Sequence, residues 1–341
     1  MILNPTKYLF SMTLFTGTFI AISSTSWLGV WLGLEINLLS FIPLMTHQGN
    51  PLSTEAALKY FLIQAFASSI LLFSFILTQL MLQFNLLTYQ ELLFTILNSS
   101  LLLKMGAAPF HFWFPGTMEG LTWWNCLLLM TWQKIAPLML ISYFIEPNMF
   151  TFSIIILCII TGSLGGLNQT SLRKLMAYSS INHLGWMLGG MLAGENLWLT
   201  YFLIYSLLSW SIVYMFQMFQ VSYLSQNFLL LTPYTPVKFC LYSLLLSLGG
   251  LPPFIGFLPK WLVIQNLSNL NQIFMTILMV VMTLVTLFYY IRLSFAAFLL
   301  KTYDLKWNTT THFKNLSFMT TAILTLNSST GMLFLTMLPL Y

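Results

Sequence analysis

Charge is what this 341-residue sequence has least of: Asp, Glu, Lys and Arg make up 6% of it, against 58% hydrophobic residues. A soluble domain carries roughly 25% charged residues, because its surface must be solvated. With 12 Lys and Arg, 7 Asp and Glu and a mean hydropathy of +0.84, this chain cannot cover itself with polar groups. That excludes a soluble enzyme and a disordered chain. The small basic excess is too thin to follow a phosphate backbone, so no nucleic-acid partner is expected. Cysteine is scarce too. Cys126, Cys158 and Cys240 lie in apolar runs with no CxxC pair, so no zinc or iron–sulfur ligand set exists and the thiols read as buried packing groups. GxGxxG, Walker and GxSxG loops are all missing. No metal, nucleotide, flavin or haem is expected on this chain.

What the sequence has in abundance is long apolar runs. A spanning helix takes about 20 apolar residues. Windows of about 19 residues place eleven spans: Tyr8–Ser24, Trp27–Thr46, Ala56–Phe84, Tyr89–Phe112, Leu121–Ile145, Phe150–Leu167, Leu172–Leu192, Asn196–Tyr223, Val237–Leu267, Asn271–Leu300 and Phe318–Leu338. The runs do not alternate, which excludes barrel strands. The expected fold is an all-α integral membrane protein, residues 1–341 forming one polytopic domain. Only Lys7 precedes the first run and no A-x-A site follows it, so the first span is expected to be retained. Eleven spans put Lys7, Arg173, Lys174, Lys238, Lys301, Lys306 and Lys314 on one face and Glu91, Glu146 and Glu195 on the other. The positive face is the side of insertion, so the N-terminus is expected inside and the C-terminus outside.

Some charges remain at membrane depth. Lys59 and Arg292 lie toward span ends and can snorkel. Lys104, Lys134 and Lys260 lie well inside spans four, five and nine, and Glu35 lies ~13 Å from an end of span two. A charge at a span centre costs roughly 2.5–3.5 kcal/mol on insertion scales. One carboxylate cannot neutralise three lysines, so a proton relay is expected in preference to structural ion pairs. His111 and His183 are the other titratable groups at depth. His183 sits in the polar run Ser179-Ser180-Ile181-Asn182-His183, and imidazole titrates near neutrality.

Helix breakers fall beside two of the lysines. Lys104-Met-Gly-Ala-Ala-Pro109 lies in span four, and Gly249-Gly-Leu-Pro252-Pro253 with Gly256, Pro259 and Lys260 lies in span nine. Proline removes a backbone donor and clashes with the preceding turn. Unwound backbone at membrane depth persists only where it lines a cavity or is buried in protein. Broken spans at matching places in two halves point to a transport site. Each break falls in the fourth span of a set of five. The expectation is an inverted repeat, residues 8–145 and 150–300, with 318–338 as a final helix.

Five motifs then occur in order: Trp31-Leu-Gly-Leu-Glu35-Ile-Asn-Leu-Leu-Ser40, Ser53-Thr-Glu-Ala-Ala-Leu-Lys59-Tyr-Phe61, Lys104-x4-Pro109-Phe-His-Phe-Trp113, Trp132-Gln-Lys134-Ile-Ala-Pro137 and Gly249-Gly-Leu-Pro-Pro-x-x-Gly-Phe-Leu-Pro-Lys260-Trp261. Together they resemble, along the whole chain, the mitochondrially encoded antiporter-like, proton-pumping membrane subunits of respiratory complex I (NADH:ubiquinone oxidoreductase). The resemblance implies the animal eleven-helix form, with two discontinuous helices and a matrix-side N-terminus in the mitochondrial inner membrane. By position, it makes Glu35 the carboxylate that pairs with the channel lysine Lys104, Lys134 the central lysine and Lys260 the exit lysine. Lys59 and His183 match helper positions. Relatives usually carry an acidic residue where this chain has Gly116, three residues before Glu119.

The resemblance implies that NADH, FMN, iron–sulfur clusters and ubiquinone are bound by other subunits. The partners it implies are the other membrane-arm chains, antiporter-like neighbours among them, and lipids such as cardiolipin. Charge changes arriving from those chains would separate or re-pair Glu35 and Lys104, shift Lys134, and pass a proton to Lys260. Two rivals are a standalone cation/proton antiporter, which would exchange ions in vesicles by itself, and a structural spacer with silent lysines.

Overall fold

The computed structural model describes residues 5–47, 49–83, 90–226, 235–299 and 315–329. Apart from one antiparallel bridge between Ser171 and Tyr223, its regular structure is helical, with no strand among the described residues. The helices are α1 (Pro5–Ser23), α2 (Trp27–Met45), α3 (Pro51–Gln83), α4 (Gln90–Met105), α5 (Trp113–Gly120), α6 (Trp123–Met130), α7 (Trp132–Ser142), α8 (Met149–Gly166), α9 (Leu172–Ala193), α10 (Glu195–Phe219), α11 (Thr235–Gly249), α12 (Phe257–Asn269), α13 (Ile273–Leu299) and α14 (Asn315–Ser329). Among the described residues, α2, α3, α8, α10 and α13 hold windows long and apolar enough to cross a membrane, while α4 and α11 hold shorter apolar stretches.

The chain divides into two compact units, Met1–Cys158 and Ile159–Tyr341. In the first, α1 and α2 form a close hairpin. Glycines allow the approach: a β-carbon on Gly33 would lie 2.5 Å from the Ala21 backbone nitrogen, and one on Gly17 would lie 3.0 Å from the Gly33 carbonyl oxygen. Small residues serve this way wherever apolar helices cannot rely on a hydrophobic driving force. Ser26 caps α2 by accepting from Gly29 N at 3.3 Å. α3 packs on α2, α4 and α5, and Asn125 Nδ2 donates to the Leu44 carbonyl at 2.8 Å, tying α6 to α2.

In the second unit, α9 is buried without interruption from Ser179 to Met191. Its polar residues therefore face protein rather than lipid. α10, α12 and α13 pack against it. Gly162 of α8 also approaches, since a β-carbon there would lie 2.5 Å from Asn182 N.

One expectation needs correction. The span Leu121–Ile145 is two helices, α6 and α7, meeting at Thr131 (φ −113°, ψ −70°). Thr131 Oγ1 donates back to the Leu127 carbonyl at 2.7 Å. Pro137 inside α7 has no N–H for the Gln133 carbonyl, so the first turn of α7 is held loosely to what precedes it. Lys238, expected on the positive face at the start of the span Val237–Leu267, sits in the first turns of α11. It is buried, donates to the Ala297 carbonyl and lies 5.6 Å from the Phe298 ring. Lys301, Lys306, Lys314, residues 330–338 of the final span and the Glu91 and Glu195 side chains lie outside the described residues.

Candidate functional site

The two broken spans end in the same way. α4 stops at Met105. Gly106 follows at φ +73°, its N–H bonded to the Leu103 carbonyl at 3.2 Å, and Ala107 N reaches the Leu102 carbonyl at 3.0 Å. α11 stops at Gly249. Gly250 follows at φ +88°, bonded to the Ser247 carbonyl at 3.0 Å, and Leu251 N reaches the Leu246 carbonyl at 3.4 Å. Each is a Schellman cap, with glycine in the left-handed position where a β-carbon is penalised. Pro109 lies in the turn after the first cap, and Pro252 and Pro253 lie in the turn after the second. Pro259 is the third residue of α12, where its missing N–H has no helical partner to lose.

Both lysines beside the breaks place charge at a helix C-terminus. Lys104 is in the last turn of α4 and buried. Lys260 lies beyond its break, in the first turns of α12, but its side chain folds back and Nζ donates to the Gly249 carbonyl at 2.8 Å. A helix C-terminus attracts a cation because the aligned peptide dipoles leave partial negative charge there. Gln64 Nε2 donates to the Lys104 carbonyl at 3.0 Å, and Trp113 Nε1 donates to the Leu103 carbonyl at 3.2 Å. The open end of α4 is thus satisfied by side chains from α3 and α5.

Glu35 is half-buried on α2. It makes no direct salt bridge to Lys104. Lys134 is 1% exposed, in the first turn of α7, with Nζ 5.1 Å from the Phe114 ring centroid. The Cys158 thiol accepts from Ala108 N in the first break at 3.2 Å. His111 is buried in that break, its ring stacked on Phe112 at 4.4 Å. His183 is buried on α9, with Nδ1 2.8 Å from the Tyr201 hydroxyl.

The first unit thus brings Lys104, Lys134 and His111 around one break, with Glu35 on α2. The second brings Lys260 to its own break and His183 into the polar length of α9. Lys59 is placed elsewhere. It is exposed on α3 and paired with Glu55 at 2.5 Å, because helical spacing turns Tyr60 and Gln64 inward and Lys59 outward. Arg292 Nη2 donates to the Leu167 carbonyl at 2.6 Å. Glu119 is half-buried at the end of α5, and a β-carbon on Gly116 would meet nothing within 4 Å.

Sequence reasoning passes over a polar relay beside the lysines. The Tyr60 hydroxyl donates to Gln133 Oε1 at 3.4 Å, and Gln133 Nε2 donates to Asn37 Oδ1 at 2.9 Å. Asn37 is two residues from Glu35, and Gln133 adjoins Lys134. Their signal was amide side chains inside apolar spans. Cys158, read from sequence as a packing thiol, also belongs to this neighbourhood.

Comparison with known proteins gives the family and the fold. Residues 24–286 match the family model described as NADH:quinone oxidoreductase/Mrp antiporter, TM. The NADH-ubiquinone oxidoreductase chain 2 of Anopheles gambiae is 58% identical over 308 residues, covering 90% of each chain. That of Aedes aegypti is 55% identical over 335 residues, covering 97% of each. Among solved structures, respiratory complex I from Thermus thermophilus superposes on 96% of this chain and 78% of the matched chain, with a TM-score of 0.79 and 23% identity. The Mrp complex from Dietzia superposes on 88% of this chain and 62% of its own, with a TM-score of 0.74 and 17% identity. Both structural likenesses speak to the fold alone. On its sequence identity over nearly its whole length, the chain belongs to the NADH-ubiquinone oxidoreductase chain 2 family.

Proposed function

We propose that this chain is a membrane-arm subunit of NADH:ubiquinone oxidoreductase in the mitochondrial inner membrane. There it couples NADH oxidation and quinone reduction, carried out by other subunits, to proton movement. The observation that carries this reading is the placing of Lys104, Lys134 and Lys260: all three lysines are buried, two of them at the C-terminal ends of interrupted helices. Permanent ion pairs would hold structure. A cation stabilised by a partial dipole and a distant carboxylate can instead lose its proton when a neighbouring charge changes.

On this reading Glu35 biases Lys104, Lys134 receives the effect, and Lys260 delivers the proton to the outer side. His111 and His183 are intermediate stations. The chain spans the membrane eleven times as a five-plus-five inverted repeat, residues 8–145 and 150–300, with a final helix. Its N-terminus lies in the matrix and its C-terminus in the intermembrane space. FMN, iron–sulfur clusters, NADH and ubiquinone belong to other chains. The neighbours are further membrane-arm subunits, antiporter-like ones among them, and anionic lipids such as cardiolipin. The chain-2 identities favour a complex I subunit over a standalone antiporter.

The test is Lys134→Ala in the assembled complex, with proton uptake into vesicles measured during NADH oxidation. The expected result is loss of pumping with the complex still assembled. A normal ratio of protons to NADH would refute the reading.

A further inference from the structure

Where α1 starts, α2 ends and α3 starts, the first unit holds a cavity of about 830 Å³ that none of the buried lysines lines. Thr6 and Lys7 come from α1, and His47 and Asn50 from the connection between α2 and α3. Among the described residues, Lys7 makes no salt bridge. Asn50 Oδ1 accepts from Leu52 N at 3.1 Å, which leaves the amide N–H groups of Asn50 for another acceptor. The Thr46 and Thr54 hydroxyls also line the cavity, but they are spent on carbonyls of their own turns, Pro43 at 3.2 Å and Pro51 at 2.8 Å. No carboxylate is among the described residues that line it. Glu55, next to Thr54, is paired with Lys59 at 2.5 Å.

The cavity therefore collects donors. Lysine offers three, an amide two and a neutral imidazole one. The first turns of α1 and α3 open on it and add the partial positive charge of two helix N-termini, against one C-terminus from α2. That balance suits an anion. The place of the cavity selects among anions. α1 has 19 residues and is about 28 Å long, close to the thickness of a bilayer's hydrocarbon core, about 30 Å. Lys7, its third residue, thus lies at the level of lipid headgroups. Just beyond it along α1, Tyr8, Leu9 and Met12 are exposed by 47–59%. A polar cavity that opens beside an apolar outer face matches an amphiphile rather than a free ion.

We propose that this cavity binds the phosphate of an anionic phospholipid, with Thr6, Lys7, His47 and Asn50 as donors and the acyl chains along the outer face of α1. A zwitterionic headgroup fits less well, because its own ammonium meets Lys7 and finds no carboxylate. The proposal rests on the membrane-subunit reading and deepens its lipid partnership by giving the lipid a place on the chain. It does not involve Lys104, Lys134 or Lys260.

The test uses the purified, delipidated complex in detergent micelles that carry equal amounts of either photoactivatable phosphatidylglycerol or photoactivatable phosphatidylcholine. After illumination, labelled peptides are mapped. The expected result is phosphatidylglycerol label on residues 5–12 and 43–54, about fivefold above the phosphatidylcholine label there. Lys7→Gln is expected to lower that label about fivefold and Lys7→Arg to keep it, with equal amounts of assembled complex. Equal labelling by the two lipids, or full labelling of Lys7→Gln, overturns the proposal. Loss of the label on adding inorganic phosphate assigns the cavity to the free ion and overturns the lipid. Label confined to another subunit shows a protein chain over the cavity and overturns it too. Should Lys7→Gln fail to assemble, the wild-type map decides, since label on this chain away from those residues refutes the site. That result leaves the proton pathway untouched, just as normal pumping by Lys134→Ala leaves this site untouched.

Discussion

Lys104 and Lys260 reach equivalent electrostatic positions by different routes. Lys104 is the penultimate residue of α4 and lies in its last turn. Lys260 starts on the far side of its break and reaches back 11 residues to the Gly249 carbonyl. The carbonyl of Lys104 depends on one neutral side chain, Gln64. Gln64→Leu would leave that buried carbonyl unpaired, which costs about 1–3 kcal/mol. The expected outcome is a lower unfolding temperature of the assembled complex, read by thermal melting of the solubilised enzyme. A residue outside the spans offers a pH handle. Burial, and secondarily the charge on Lys7, holds the His47 pKa below its ordinary 6.5. The folded state therefore favours neutral His47, and its contribution is present above pH 6.5 and lost as pH falls below it. Protection of the Thr46 and Asn50 amides, measured as exchange rate relative to the intrinsic rate at each pH, is expected to fall between pH 7 and pH 5. His47→Gln should remove that fall.

At the scale of elements, the two breaks share a cap but differ in how tightly the chain returns. A β-carbon on Gly256 would lie 1.8 Å from the Ser247 carbonyl oxygen, because the turn into α12 passes directly over the end of α11. No side-chain rotation relieves a contact with backbone. Gly256→Ala is expected to cost about 2 kcal/mol or more and to lower the yield of assembled complex on native gels. Gly116, inside α5, is the opposite case, with open space around a β-carbon. Gly116→Ala is expected to stabilise by about 0.5–1 kcal/mol, seen as a small rise in melting temperature.

For the whole molecule, the outer surface is apolar. Phe112, Met149, Phe274 and Leu299 are exposed by 73–87%, and aromatic and aliphatic side chains recur along the outer faces of α3, α10 and α13. A surface of this kind is stable against acyl chains or partner helices, not water. Native gel electrophoresis of gently solubilised membranes is expected to find this chain only in a very large band that also oxidises NADH. Migration near its own mass of 39.1 kDa would speak for a chain that works alone.

The sequence by itself determined that this is a helical membrane protein, where most helices run, and where two of them are interrupted. Those properties depend on local quantities: apolar run length, the fixed dihedral of proline, and the left-handed tolerance of Gly106 and Gly250. It also exposed Glu35, Lys104, Lys134 and Lys260, because charge at membrane depth is too costly to be incidental. Only the tertiary structure decided what surrounds them. Helical spacing within one element turns Lys59 outward, yet the side chains that close the end of α4 come from α3 and α5, and His183 of α9 meets Tyr201 of α10. The break at Thr131 was hidden because no glycine or proline marks it, Pro137 lying six residues further on inside α7. Contacts between side chains distant in sequence depend on how helices pack, and no periodicity in a single run encodes that.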